Sequence, residues 1–267
     1  SVGDLLSSFD KNGFTVNANV NASTNGSSQD YVAWSWKAGG VPSADDKAMI
    51  DGEEKTITGD AKLDAGSITP TRMSVNTKAG FSIVQYQGDN NNGGGAVPHG
   101  LNKRPDFILI KPMDVAGNWL AWSSAIEDCG YFHLDLPNAE ASDSSYWHET
   151  GMNNETVGIK IGVSNLSGSH IMYCWHSVQG YSKIGSFIPA SNGADSSYVH
   201  LGFEPAWILF KKRDTDAWSE YHRWMILDNS RKTHNPQALD NALYANMTDV
   251  EGNRGNGGGG NGVGGGE

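Results

Sequence analysis

Apolar and polar residues alternate in short runs along much of the chain, with the period of two that is typical of β-strands. The segment QDYVAWSW, residues 29–36, places Val32, Trp34 and Trp36 on one side of such a strand. The segment SHIMYCW, residues 169–175, alternates in the same way. We therefore predict a strand with one core-facing side at each place, and we interpret the two as copies of one closing strand.

Helical periodicity is scarce, whereas turn signals are frequent. Sequences such as DKNG, TNGSS, DG and SNG bound the alternating runs, and the chain contains 34 glycines. Short alternating runs between closely spaced turns are typical of antiparallel β-structure. The sequence therefore predicts an all-β fold of tandem antiparallel β-sandwich modules, jelly-roll-like, each of about 100 residues.

An internal repeat supports this module length. The segment RPDFILIKPMD, residues 104–114, aligns without a gap with EPAWILFKKRD, residues 204–214, at an offset of one hundred residues. Self-similarity at a fixed period is the sequence signature of repeated structural units. Weaker matches follow in order, namely 80–91 with 180–193, 97–101 with 199–203, 118–120 with 223–225, 134–140 with 244–251, and 157–175 with 14–36.

These matches predict how the chain divides. Each module has an opening half and a closing half. The predicted segments are 1–39, a closing half; 40–79, a linker or protruding hairpin insertion with a turn at Asp51–Gly52; 80–180, a complete module; 181–251, an opening half; and 252–267, a glycine-rich tail. Because the two half-modules are complementary, we also predict that they combine by strand donation, within a chain or between subunits.

Composition narrows the range of partners. The formal net charge is −11 and the sequence pI is about 5.1, so phosphate backbones and anionic lipid surfaces would be repelled. We therefore expect no nucleic-acid partner. No apolar run long enough to span a bilayer is present, so we expect no membrane insertion either. Cys129 and Cys174 are too few for a disulfide framework or a structural zinc site, and we predict that Cys174 is a buried thiol, with a disulfide to Cys129 as the less favoured alternative.

The motifs VPHGL, PDFILIK, SFDKNGFTV, YVAWSWKAGG and QGYSKIGSF, taken in their order and spacing, resemble a known family. It is the β-rich repeat found, often in tandem, in tail-fibre and other virion structural proteins of marine bacteriophages. The similarity covers most of the chain except residues 40–79 and the glycine-rich tail. The resemblance implies a phage particle protein near the host-contacting appendages, and it implies no catalytic residues.

The sequence contains no recognisable catalytic or metal-binding motif. There is no nucleophile elbow, no HExxH, no phosphate-binding glycine loop ahead of a helix and no Cys/His cluster. His148 in YWHE and His222 in EYHRW lie beside aromatic residues, and we interpret both as ordinary structural histidines. The acidic residues between 127 and 155 form no recognisable glycosidase pair. We therefore predict that the chain is not an enzyme and that it holds no metal or cofactor.

The nine tryptophans fall into two groups. Trp34, Trp36, Trp175 and Trp207 lie in alternating runs and are predicted to be core residues. The others lie in or near polar segments, where an exposed aromatic ring stacks on a sugar or fills a subunit interface, and we favour the interface. His148 and Tyr221, which lie close to these tryptophans in the sequence, complete the set. The candidates for a ligand site or an interface are therefore Trp119, Trp122, Trp147, His148, Trp218, Tyr221 and Trp224.

These observations predict a structural protein of a phage virion. We expect it in a tail fibre or similar appendage of the extracellular particle, assembled through its β modules into a homo-oligomer or with other virion proteins, and serving attachment to the host surface. The alternative is a lectin-like module that recognises a host surface glycan. A polysaccharide depolymerase is a third and less favoured hypothesis.

Overall fold

The computed structural model describes residues 6–17, 25, 31–91, 93–126, 129–160, 162, 164–189, 197–214, 222–230 and 242–247. The chain forms two compact units, Ser1–Trp36 and Lys37–Glu267. The strands are β1 (Leu6–Asp10), β2 (Gly13–Val16), β3 (Lys47–Ile50), β4 (Glu53–Thr56), β5 (Pro70–Asn76), β6 (Phe81–Gly88), β7 (Gly95–Pro98), β8 (Phe107–Pro112), β9 (Leu120–Ser123), β10 (Gly130–His133), β11 (Ala141–Ser142), β12 (Thr156–Ile159), β13 (Gly168–Trp175), β14 (Trp207–Lys211), β15 (Trp224–Asp228) and β16 (Leu243–Tyr244). A single turn of 3₁₀-helix spans Glu149–Gly151. The prediction of an all-β fold is confirmed.

The first unit contains a β-hairpin in which β1 pairs antiparallel with β2. The predicted DKNG turn connects the two strands. At its start the Asp10 carboxylate accepts hydrogen bonds from the Thr15 hydroxyl at 2.6 Å and the Ser8 hydroxyl at 2.9 Å. These bonds, the one from Thr15 first, lower the pKa of Asp10 because they favour its charged form.

The strand predicted at residues 29–36 is not formed. Residues 31–36 belong to no strand, residues 29 and 30 lie outside the described part of the chain, and Trp36 is 40% exposed instead of lying in the core. An alternating pattern encodes two faces, but hydrogen bonds to neighbouring strands are what make a strand. Residues 31–36 therefore form no strand among the described residues, and strand donation, within a chain or between subunits, stays a prediction.

The second unit is built on a nine-stranded sheet with the order β11-β10-β9-β8-β13-β6-β5-β3-β4. Strand β13, which contains the predicted SHIMYCW strand, lies at its centre and pairs antiparallel with both β6 and β8. Neighbours on both sides satisfy its backbone groups along most of its length. Cys174 in this strand is a fully buried free thiol, as predicted.

Residues 40–79 are not a linker or a protruding insertion. The predicted Asp51–Gly52 turn is confirmed: both residues have positive φ, as a type I′ hairpin turn requires, and β3 pairs with β4 across it. However, β3 also pairs in parallel with β5, and β5 pairs antiparallel with β6, so the sheet crosses the predicted boundary at residue 80. Apolar residues that look isolated in the sequence converge in the core, namely Ala48, Ile57, Leu63, Ile68, Met73 and Val75.

Both faces of the large sheet are covered, which gives the sandwich-like arrangement. A two-stranded sheet of β7 and β12 covers one face, where its residues Val97 and Ile159 share a core with Ile108 of the large sheet. A three-stranded sheet in the order β14-β15-β16 packs on the other face, around Leu109 and Trp224. Alternate residues of β8 thus serve the two cores. Within the described residues, no helix is long and apolar enough to cross a membrane.

Candidate functional site

The three-stranded sheet repeats the architecture of part of the large sheet. Strands β8, β9 and β10 form an antiparallel run in chain order, and β14, β15 and β16 form another. In the first run Phe107 lies opposite Ser123, and in the second Trp207 lies opposite Asp228. The predicted alignment of 104–114 with 204–214 therefore corresponds to two strands with equivalent neighbours.

Backbone hydrogen bonds at the strand ends are repeated as well. The amide of Ser124 donates to the carbonyl of Asp106 at 2.9 Å, and the amide of Asn229 donates to the carbonyl of Ala206 at 3.1 Å. In each run, the bond joins the residue after the second strand to the residue before the first strand, and so extends the strand pairing by one step. The equivalence thus extends beyond the aligned strand into the second strand, although the connecting loop is longer in the second copy.

In each copy, the backbone amide of one tryptophan donates an equivalent hydrogen bond to a side-chain oxygen. The amide of Trp119 donates to Oδ1 of Asp135 at 3.1 Å, and the amide of Trp224 donates to Oδ1 of Asn246 at 2.9 Å. A carboxylate in one copy and a side-chain amide in the other thus accept the same backbone bond. The sequence match of NWL with RWM correctly pairs these two tryptophans.

A hydrogen bond from a lysine to a backbone carbonyl is also repeated, close to the tryptophan of each copy. Nζ of Lys111 donates to the carbonyl of Gly117, and Nζ of Lys211 donates to the carbonyl of His222. In both copies the acceptor lies two residues before the tryptophan. The lysine therefore secures the loop that leads into the second strand of each run.

The two copies pack against each other through equivalent faces. Leu109 and Leu209 belong to the same apolar cluster, and so do Trp119 and Trp224. Contacts between identical patches are the arrangement found in two-fold symmetric interfaces. The symmetry is approximate, because Trp224 is buried whereas Trp119 is half-buried and lies beside Tyr173 of β13. No described strand takes the place of β13 in the second copy.

We call the apolar cluster between the two copies, which contains Leu109, Phe132, Leu209 and Trp224, the repeat interface. Trp224 lies at its centre. Its side chain is only 4% exposed, and its Nε1–H donates to the carbonyl of His133 at 2.8 Å. Its ring meets Phe132 edge-on at 5.7 Å between centroids and lies 6.3 Å from Phe107. Aromatic residues at the centre with a satisfied polar atom are typical of energetically dominant contacts.

Charged groups occupy the edges of the repeat interface. Nε of Arg213 lies 2.6 Å from Oε2 of Glu140, and the amide of Glu140 donates to the carbonyl of Arg213 at 3.1 Å. The ammonium of Lys211 lies 5.9 Å from the Phe132 ring and 5.7 Å from the Trp224 ring. Burial between the sheets lowers the pKa of Lys211 to about 8, because it penalises the charged form.

The predicted site residues divide among different places. Trp119 and Trp224 lie in the repeat interface, inside one chain, and the prediction of an exposed ring or a subunit interface is wrong for Trp224, which is only 4% exposed. The prediction that Trp122 and Trp147 are exposed or at a subunit interface is wrong, because each is 1% exposed and their rings, 6.4 Å apart, fill the core under the two-stranded sheet. Polar neighbours in sequence concealed this, since strand residues alternate between faces. Trp218 and Tyr221 lie outside the described residues.

His148 lies apart from the repeat interface. It is half-buried and lines an open cleft of about 310 Å³ beside β7 and β12. His222, in contrast, is buried two residues before the start of β15. Its carbonyl accepts the hydrogen bond from Nζ of Lys211. No group of three or more potential metal ligands occurs among the residues that the structure describes.

Sequence reasoning missed Phe107, Phe132 and Lys211 as parts of the repeat interface. The signal for Lys211 was present, since it aligns with Lys111 in the strongest segment of the repeat. Phe107 carried a weaker signal, because it aligns with Trp207 at a position that alternates with the core residues of its strand. Phe132 carried none, since nothing in the sequence places β10 beside Trp224.

Comparisons with known proteins identify the family of the chain. No curated protein and no solved structure matches the chain. The profile of one family matches residues 1–259, which is nearly the whole chain and includes both copies of the repeat. The chain therefore belongs to the family described as a domain of unknown function, DUF7483.

Proposed function

We propose that this chain is a structural protein of a phage virion, part of a tail fibre or similar appendage that serves attachment to the host surface. One observation carries the proposal: the chain holds two copies of a three-stranded unit that bury an aromatic interface between equivalent faces. The resemblance of its motifs to virion structural repeats supplies the biological setting.

Repeats that bind through equivalent faces suit a protein whose task is assembly. Stability in repeat arrays comes from each unit and from the interfaces between neighbours. Here Trp224 and its hydrogen bond to His133 provide such an interface, and β13 ties the large sheet together through both neighbours. We propose a homo-oligomer or a complex with other virion proteins on this basis, located in the extracellular particle.

The proposal is tested on purified particles of the phage that encodes the chain. Particles are banded on a density gradient, washed at high salt and examined by mass spectrometry, and an antibody against the chain is localised by electron microscopy. We expect its peptides in the washed particles and the antibody on a tail appendage. Peptides found in infected cells but not in washed particles would contradict a virion role.

Attachment is measured separately from incorporation. Antibody fragments against the chain should slow adsorption of particles to host cells, whereas fragments against an unrelated capsid protein should not. The depolymerase hypothesis predicts release of reducing ends from host envelope polysaccharide by the purified chain. The prediction that the chain is not an enzyme fails if such release occurs and saturates with substrate.

A further inference from the structure

We propose that the cleft beside His148 binds a neutral saccharide through its hydroxyl groups. The cleft has a volume of about 310 Å³ and lies between the turn that contains Ser67, the start of β7 and the 3₁₀ turn that leads into β12. Its size is at the lower end of the range of small-ligand pockets. This inference goes beyond the proposed structural role and does not depend on it.

Hydrogen-bonding groups of both kinds converge on the cleft. Oγ1 of Thr150 lies 3.0 Å from Nδ1 of His148, which fixes the imidazole and leaves Nε2 for a ligand. Oγ of Ser67 accepts a bond from the amide of Ala96 at 3.0 Å, so its own O–H is available to donate. A saccharide hydroxyl, which both donates and accepts, matches such a mixed set.

A side-chain amide adds a directed donor. Oδ1 of Asn153 accepts from the amides of Glu155 at 2.8 Å and Thr156 at 2.9 Å. These two bonds orient the side chain, and they leave the Nδ2 group as the part of the amide that can donate to a ligand. The amide is therefore held in place before a ligand arrives, which reduces the entropy cost of binding.

Gly94 and Gly151 line the cleft, and the surrounding backbone leaves no room for a side chain at either position. A Cβ on Gly94 would lie 2.7 Å from the carbonyl oxygen of Ile159, and a Cβ on Gly151 would lie 2.6 Å from Cα of Gly158. Gly94 also has a φ of +79°, which side chains other than glycine rarely adopt. Close packing against β12 thus fixes the backbone at these two positions of the cleft lining.

Charge points to a neutral ligand. Among the residues that the structure describes, none that lines the cleft is Asp, Glu, Lys or Arg, although the chain as a whole has a net charge of −11. A charged ligand would find no opposite charge among these described residues to offset the part of its hydration that it loses on binding. A neutral sugar exchanges water hydrogen bonds for those of Ser67, His148 and Asn153 at little electrostatic cost.

The test measures binding by NMR with the full chain. The probes are the methyl α-pyranosides of glucose, galactose and mannose, with N-acetylneuraminic acid as the anionic comparison. We expect at least one neutral probe to shift the His148 imidazole signals saturably at about millimolar concentration. Thr150→Val keeps the shape of the side chain and releases His148, so it should weaken that binding about tenfold.

Thr56→Val on the exposed edge strand β4 is the matched control and should leave the affinity unchanged. Thermal unfolding verifies that both variants are folded. Three results would overturn the proposal: no neutral probe shifts the His148 signals, the anionic probe binds more tightly than every neutral one, or Thr150→Val and Thr56→Val bind alike. Loss of virion incorporation would affect only the structural role and would leave this result intact.

Discussion

Replacement of Trp224 by alanine tests the repeat interface directly. The substitution removes an almost fully buried indole from between the three-stranded sheet and the large sheet. It also removes the Nε1–H bond to His133 and the edge-on contact with Phe132. Nothing in the backbone of β15 requires tryptophan, so the strand itself should tolerate the change.

The expected loss is large for a single residue. Truncation of a buried aromatic side chain to alanine costs about 3–5 kcal/mol of the free energy of unfolding, from lost transfer and from the cavity. The lost indole bond leaves the carbonyl of His133 without its donor, which is worth about 1 kcal/mol within that range. Since whole domains are stable by about 5–15 kcal/mol, the three-stranded sheet should detach or exchange rapidly.

Urea unfolding, followed by circular dichroism and tryptophan fluorescence, measures the total loss. Hydrogen exchange then shows which strands lose stability. Amides of β14, β15 and β16 should exchange faster, while the exchange of amides in β6 and β13 should change little. Trp119→Ala is the matched control, because Trp119 is the equivalent residue but is only half-buried. It should cost clearly less than Trp224→Ala.

Two outcomes would refute this reasoning. A loss below about 1 kcal/mol would mean that Trp224 does not anchor the repeat interface. Equal acceleration of exchange in β13 and β15 would mean that the three layers unfold as one body and that the interface is no separate unit. Trp224→Phe refines the result, since it keeps most of the apolar contact and loses only the hydrogen bond.

Three further predictions concern single residues. For Lys211, whose pKa is lowered to about 8 by burial, the folded chain loses the proton before the unfolded chain does, so stability should rise between pH 8 and 10.5; Lys211→Met should remove this rise in urea titrations. For fully buried His99, burial lowers the pKa to about 4, so the unfolded chain binds the proton first and stability should fall as the pH drops from 6.5 towards 4; His99→Gln should flatten this fall in thermal scans. Gly39→Ala should destabilise the fold by about 1–3 kcal/mol in urea, because its Cβ would lie 2.1 Å from the carbonyl oxygen of Met49; Gly13→Ala, with no atom within 4 Å, is the control and should change little.

Local patterns predicted the elements well where the chain's own neighbours complete them. The alternation in 169–175 became the central strand β13, and Asp51–Gly52 became a hairpin turn through positive φ at both residues. The same alternation in 29–36 did not produce a strand at residues 31–36. The difference lies in the strand neighbours, which are distant in sequence and which a local pattern cannot specify.

The candidate sites were predictable only in part. The repeat pointed to Trp224 and, through its alignment with Lys111, to Lys211. The burial of Trp147 was not predictable, because its polar neighbours suggest a surface loop while tertiary packing places its ring in the core. The cleft beside His148 was also hidden, since it is formed by three segments far apart in the chain.

The sequence by itself determined the all-β class, the repeat, and the turns at DKNG and Asp51–Gly52, because alternation, turn residues and self-similarity are properties of short segments. Tertiary structure decided that residues 40–79 join the large sheet, through a parallel pairing of β3 with β5. It also decided that the two copies pack face to face around Trp224. Such pairings depend on which distant surfaces bury each other, and one chain can satisfy the same local pattern in several ways until packing selects among them.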